Sequence, residues 1–355
     1  MRACVKPAMG KVEITDVPIP EPGPGQIVVK MTMSTVCGTD MHFLDEFPNE
    51  MIAGIWPNAM LPQGVPMGHE GVGVVHSTGE GVTRFKPGDR VIASCLTGCG
   101  KCHECMTVDY SMCTGSGPAM PVMFGCQGEY YTVPNADINA AKVPDSVTDE
   151  QALLATDIMS TGFGAIERAG AGVGDSVAIF AQGPLGLCAT AGARSRGCGL
   201  IVAVDAVPER LAMSKRFGAN VVINPKEKDP VAEIMALTND EGVDVAVEAV
   251  GTQATFEACT RAVRRGGTVS SVGVYGLTPA LSMPTLAPSF LHRKIVTTLC
   301  PSGRDRMEHL LGLIEHGGAD LTPLFTHHMK LDQAPEAYDL FRAKQGGVLK
   351  IAITP

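Results

Sequence analysis

The chain has 355 residues, 45% hydrophobic and 18% charged, with 28 basic against 37 acidic side chains for a net charge of −9. That length predicts two domains rather than one core. The acidic balance, with no basic block, excludes nucleic acid and anionic membrane surfaces as main partners. No apolar run approaches the roughly 18 residues of a membrane span. The N-terminal residues lack the apolar core of a signal peptide, so a cytoplasmic protein is expected.

Up to about residue 155 the chain is dense in Gly and Pro. Short alternating runs at 26–31, 71–75 and 89–93 are separated by turns such as Pro22-Gly23-Pro24-Gly25 and Lys86-Pro87-Gly88-Asp89. This texture predicts a small, irregular β domain. Taken alone, Cys37 and His69 in this region read as a small buried residue and a core histidine. Of the twelve cysteines, four fall within one short stretch as Cys99-x2-Cys102-x2-Cys105-x7-Cys113. Four thiolates at such spacing suit a closed, tetrahedral structural zinc. The rival is an iron–sulfur cluster, whose ferredoxin run ends C-x3-C-P. Here the last gap is seven and Thr114 follows, which favours zinc.

From about residue 158 strands alternate with helices. Strands are predicted near 176–181, 199–205, 220–223, 243–248, 267–273 and 294–299, with helices over 187–196, from Pro208, over 229–238 and over 303–316. Six such strands predict a doubly wound parallel sheet. The tail after residue 300 is too short for a third domain and is expected to complete the first.

The strand ending at Phe180 leads into Ala181-Gln182-Gly183-Pro184-Leu185-Gly186. A glycine turn between strand and helix lets the backbone approach a pyrophosphate on the helix N-terminus. Ala181 replaces the first glycine of G-x-G-x-x-G, and an isolated match would be no more than a tight turn. The next strand, however, ends at Asp205. A carboxylate there is placed to accept from ribose hydroxyls and to repel a 2′-phosphate, favouring NAD over NADP. The plainer role for Asp205 is a cap before Pro208.

These motifs, with Cys37-Gly38-Thr39-Asp40, Gly68-His69-Glu70 and Lys86-Pro87-Gly88-Asp89-Arg90-Val91, resemble the medium-chain zinc-dependent alcohol dehydrogenases over essentially the whole chain. Asp157-Ile158-Met159-Ser160-Thr161-Gly162-Phe163 and Leu299-Cys300-Pro301-Ser302-Gly303-Arg304 resemble the bacterial secondary-alcohol (isopropanol) subfamily. The resemblance implies an α/β chain. A GroES-like irregular β catalytic domain would span 1–157 and 300–355, with the structural zinc lobe at 95–115. A doubly wound six-stranded Rossmann domain would span 158–299. It implies two zinc ions per subunit, NAD, a small alcohol, ketone or aldehyde as substrate, and a homotetramer or homodimer built through the 295–299 edge strand.

Catalytic zinc would be held by Cys37, His69 and Asp157 with an open fourth position, and Glu70 would stand close by. The bland reading of Asp157 is a cap on the helix that follows. A relay of Thr39, a nicotinamide ribose hydroxyl and His42 would carry the alcohol proton away, although His42 read alone is an ordinary surface histidine. Besides Gly183, Pro184, Leu185, Gly186 and Asp205, the cofactor would meet Arg210, Thr161, Val250, the backbone at Val272 and Val274, and Lys350 at the pyrophosphate. For Arg210 and Lys350 a solvated charge is the plain alternative.

Two features depart from the subfamily: its members commonly use NADP and lack the cysteine lobe. The 43–68 segment is also longer than usual and carries Trp56, either at the substrate entrance or as a packing or subunit-contact residue. Formaldehyde-type or polyol dehydrogenases, and zinc-free quinone reductase-like or NAD-binding relatives, are the alternative functions.

Overall fold

The computed structural model describes residues 1–107, 109–115, 121–276, 281–282, 292–344 and 346–355. The chain divides into two compact units, Met1–Ser160 with Cys300–Pro355, and Thr161–Leu299. No helix among the described residues is long and apolar enough to cross a membrane.

The first unit is built on two sheets. A small one orders the strands Lys11–Asp16, Arg2–Ala8 and Val65–Pro66. The larger one runs Phe325–Lys330, Lys350–Thr354, Ile27–Thr35, Gly71–Thr78, Arg90–Ala93 and Ala140–Lys142, with Tyr130–Val133 also paired to Ile27–Thr35. The chain's end belongs here because Lys350–Thr354 lies between Phe325–Lys330, its parallel partner, and Ile27–Thr35. Ile27–Thr35 is central, so it is buried on both faces apart from Lys30 and half-buried Thr32. Its Ile27, Val29 and Met31 meet Leu44, Val75, Val91, Tyr131, Ile351 and Ile353 in one core. Each such side chain contributes roughly 1.5–3 kcal/mol by leaving water.

The 43–68 segment forms the helix Asn49–Ile55 and a single turn at Pro57–Ala59. Trp56 between them stacks edge-on against Phe43 and Phe124, with ring centres 5.5 and 5.7 Å away. Packing is therefore one role of this tryptophan. It also lines a groove of about 520 Å³ with Ile55, Val122 and Tyr130.

The second unit is a six-stranded parallel sheet with strands β1 (Ser176–Phe180), β2 (Leu200–Val204), β3 (Val221–Ile223), β4 (Val243–Glu248), β5 (Val263–Ser271) and β6 (Lys294–Thr297). Their order is β3-β2-β1-β4-β5-β6, reversing between β1 and β4, where doubly wound sheets bind ligands at the strands' carboxyl ends. The predicted strands are all present. β5 starts four residues earlier than its sequence indicates, because Val263 pairs with Val243 before a register shift re-aligns Thr268 with Val245. The helix after β1 also starts early, at Pro184 rather than 187, since proline suits a first helical position.

The turn after β1 keeps a glycine-like backbone without its first glycine. Ala181 sits at φ +79°, a region that costs an L-residue roughly 1–2 kcal/mol. Gly186 has no such latitude, since a Cβ there would lie 1.9 Å from the Ala181 carbonyl oxygen. Ala181→Gly is therefore expected to stabilise the protein by about 0.5–1 kcal/mol, after the greater freedom of glycine in the unfolded chain is subtracted. A urea midpoint that stays level or falls would show that the alanine methyl offsets the strain by packing.

Candidate functional site

In the first unit, Cys37 ends the strand-to-helix turn ahead of the helix Gly38–Asp45. His69 and Glu70 immediately precede the strand Gly71–Thr78, and Asp157 immediately precedes the helix Ile158–Arg168. Gly68 makes the approach to His69 possible. It takes φ +87°, and a Cβ there would come within 2.8 Å of the Gln127 backbone nitrogen.

The structure brings these separated residues together. One donor atom from each of Cys37, His69, Glu70 and Asp157 lies within 4.8 Å of the others. His69 Nε2 is 3.2 Å from Asp157 Oδ2, and Cys37 Sγ is 3.8 Å from the same oxygen. His69, Glu70 and Asp157 are buried. A thiol, an imidazole nitrogen and carboxylates at this spacing are a donor set that suits zinc.

Asp40 was not among the residues singled out from sequence, yet it organises the cluster. Its Oδ2 accepts from the Cys37 backbone N–H at 2.9 Å, and its Oδ1 accepts from His69 Nδ1 at 2.9 Å. That second bond leaves Nε2 as the ligand nitrogen, the usual carboxylate–histidine support of a metal site. The only available signal was the Cys37-x2-Asp40 spacing, which reads equally well as a helix cap. Burial by itself would lower the His69 pKa, but Asp40 and Asp157 outweigh it and hold it well above its ordinary value. Burial pushes the Cys37 thiol up.

Of the two readings of Lys350, the solvated charge is excluded: it is buried in the first unit with Nζ bonded to Glu70 Oε1 and Oε2 at 2.8 and 3.0 Å. An ammonium so deeply buried is retained because a carboxylate faces it. Burial opposes its charge, yet Glu70 raises the Lys350 pKa above the ordinary lysine value and so keeps it protonated.

Thr39 is half-buried in the first turn of its helix. His42 is partly exposed, and its Nδ1 lies 2.7 Å from Glu46 Oε1.

In the cysteine lobe, where Val108 lies outside the described residues, the four sulfurs of Cys99, Cys102, Cys105 and Cys113 all fall within 4.8 Å of one another. Ligands about 2.3 Å from a tetrahedral centre are about 3.8 Å apart, so the spacing suits one ion and leaves no room for several irons and sulfides. Backbone N–H groups prepare the site. The Cys105 N–H is the main cause that pulls Cys102 down to about 6, and the Lys101 N–H lowers Cys99. Burial instead pushes Cys105 up to about 12.

In the second unit, the helix Pro184–Ser195 starts at Gly183 with no side-chain cap, the kind of helix start that can accept an anion. Leu185 and Gly186 continue that first turn. Asp205, just past β2, is buried. Its Oδ2 accepts from the Gln182 N–H at 2.6 Å and its Oδ1 from the Val207 N–H at 2.8 Å. It therefore shapes the turn and the approach to Pro208, and an ionised carboxylate still has lone pairs for ribose hydroxyls. Arg210 Nη1 stands 3.9 Å from Asp205 Oδ2.

Val250 and Val274, past the ends of β4 and β5, are exposed, whereas Val272 is buried. The Val250 and Val272 N–H groups are already bonded to Glu248 Oε1 and to the Glu248 carbonyl. Neither N–H is therefore left to donate to a cofactor. Thr161 is half-buried in the helix Ile158–Arg168.

Comparison with known proteins fits this geometry. Residues 23–145 match the alcohol dehydrogenase GroES-like domain and residues 184–316 the zinc-binding dehydrogenase domain. An alcohol dehydrogenase of Cupriavidus necator is 42% identical, covering 100% of this chain and 99% of its own length. The NADP-dependent isopropanol dehydrogenase of Thermoanaerobacter brockii is 33% identical over 97% of this chain and 96% of its own. Among solved structures, the alcohol dehydrogenase TADH from Thermus sp. ATN1 superimposes with a TM-score of 0.89 at 32% identity, covering 100% of this chain and 99% of that one.

Proposed function

Since the chain belongs to the zinc-dependent alcohol dehydrogenase family, an oxidoreductase that uses zinc and a nicotinamide cofactor on small alcohols, we propose that it is an NAD-linked enzyme interconverting secondary alcohols and ketones. The observation that carries the reading is the convergence of Cys37, His69, Glu70 and Asp157 donor atoms within 4.8 Å. Cys37, His69 and Asp157 would hold the catalytic zinc, and the four-cysteine lobe a second, structural ion.

Zinc when bound supplies Lewis-acid polarisation of a substrate oxygen, and the nicotinamide supplies the hydride acceptor or donor. The chain's own residues do the rest. Asp40 holds the His69 ring in one tautomer and one orientation. The Thr39 hydroxyl takes the alcohol proton, and His42 passes it to solvent while Glu46 holds its Nδ1. Glu70 stays tied to Lys350, so it stands beside the ligands without being a free base.

Preference for NAD rests on Asp205, whose buried carboxylate would sit against a 2′-phosphate. Arg210 beside it sharpens the prediction. In Asp205→Gly that guanidinium would be left to receive the phosphate, and a charge-assisted bond of about 1.5–3 kcal/mol moves the NAD-to-NADP efficiency ratio by about 10–100-fold. A ratio that does not move would remove Asp205 from the ribose site.

The secondary-alcohol reading is supported by the resemblance in 157–163 and 299–304 and by the similarity to the T. brockii enzyme. It is tested by NADH formation with 2-propanol, 2-butanol, ethanol, 1-phenylethanol, butanediol and formaldehyde. Faster turnover of formaldehyde or of the diol would reassign the substrate class. The edge strand β6, with Ile295 in it and Leu299 just past it partly exposed, supports a dimer or tetramer built by continuing the sheet.

A further inference from the structure

Asp157 belongs to two sets of donor atoms. Besides the set with Cys37, His69 and Glu70, one of its carboxylate oxygens lies with the sulfurs of Cys95 and Cys300, all within 4.8 Å of one another. Cys95 follows the strand Arg90–Ala93 directly after Ser94. Its N–H is bonded to the Thr156 carbonyl at 3.3 Å and its carbonyl accepts from Met123 at 2.9 Å. Cys300 points its thiol at the Asp157 carbonyl, 3.5 Å away, and its own carbonyl accepts from the Ser302 hydroxyl at 2.8 Å. Both cysteines are therefore anchored through their backbones. Cys95, Cys300 and Asp157 are 3%, 5% and 9% exposed, and the cysteines are packed with Leu96 and Val122. The reaction described above uses neither thiol.

Two buried cysteines in apolar packing are ordinary. A carboxylate oxygen converging on the same point gives the pair a third metal-ligating atom. Two sulfurs and one oxygen at this spacing make a donor set for one soft cation, since thiolates select zinc-like ions over magnesium or calcium.

We propose that Cys95, Cys300 and Asp157 form an auxiliary site for a thiophilic divalent cation, Cd²⁺ or Zn²⁺ in excess, which shares the Asp157 carboxylate with the catalytic zinc. The sharing rests on Asp157 being a ligand of that zinc. On binding, two thiol protons leave to solvent, two metal–sulfur bonds form, and no electron moves. The two thiolates balance the dication, so the buried site takes up no net charge. Asp157 can serve both ions because a carboxylate has two oxygens, but an oxygen committed to the auxiliary ion donates less to the catalytic one. Occupation of the auxiliary site therefore inhibits.

The test titrates zinc-loaded, full-length protein with Cd²⁺ alone. It counts total zinc plus cadmium per subunit by native mass spectrometry and follows sulfur-to-cadmium charge-transfer absorbance. Wild type is expected to bind one metal more per subunit than Cys95→Ala/Cys300→Ala, and to lose turnover as that last ion binds. Cys95→Ser alone is expected to weaken the last ion by at least about tenfold, which keeps the test open if the double variant is insoluble. Equal counts in wild type and variant overturn the proposal. If both counts equal two, the catalytic and lobe assignments still stand. If both fall below two, those assignments fail as well.

Discussion

Asp157→Ala is expected to lower kcat by at least about a thousandfold in a soluble protein, with Cys37→Ser close behind. Each substitution removes one of the three side chains proposed to hold the zinc, and several kcal/mol of charge stabilisation at a metal translates at about 1.4 kcal/mol per tenfold in rate. Catalytic zinc per subunit should fall in parallel. Asp40→Asn provides the graded control. It leaves all three proposed ligands in place but weakens the bond that orients His69 at 2.9 Å, and losses of 10–100-fold in metal affinity or activity are the rule for such partners. Cys99→Ser should behave differently, with zinc lost from the lobe and a lower thermal midpoint, while the folded fraction keeps most of its turnover. Metal analysis beside steady-state kinetics separates these outcomes. Full activity in soluble Asp157→Ala would remove that residue from the zinc site.

Lys350→Met is expected to cost about 3–5 kcal/mol, the largest stability effect of any single substitution considered. Lys350 and Glu70 are 2% and 0% exposed and bonded at 2.8 and 3.0 Å. Losing one partner leaves a buried charge uncompensated, whereas replacing both by neutral groups leaves none. Glu70→Gln/Lys350→Met should therefore lose less than the sum of the two single variants, and the coupling is read from denaturant midpoints in a double-mutant cycle on zinc-loaded protein. A Lys350→Met loss under about 1 kcal/mol would mean that Glu70 is neutral in the fold or finds water when the lysine is gone.

The features legible in the sequence are those whose parts lie close along the chain. The cysteine lobe is complete within one short stretch. The parallel sheet announces itself through apolar runs spaced by helices, and Asp205 falls at a strand end a fixed distance past the glycine turn. Even there, Ala181 concealed what its backbone does: the turn keeps a positive φ without glycine, because the surrounding strand and helix over-determine it. The meeting of Cys37, His69, Glu70 and Asp157 was legible only through resemblance, since 120 residues separate Cys37 from Asp157 and 88 separate His69 from Asp157, and no local periodicity reports such a meeting.

What only the tertiary structure decided is which polar groups share a buried volume. Asp40 reads as a helix cap until His69 arrives beside it. Lys350 reads as a solvated charge or a phosphate contact until the fold brings Glu70 against it from 280 residues away. Cys95 and Cys300 read as scattered core cysteines until both face Asp157. The sequence by itself determined the chemistry on offer and the local elements that carry it, because propensity and spacing act over a few residues. Partner choice among buried charges and thiols was decided by sheet order and packing, because desolvation makes each such group depend on whatever the fold brings within a few ångströms.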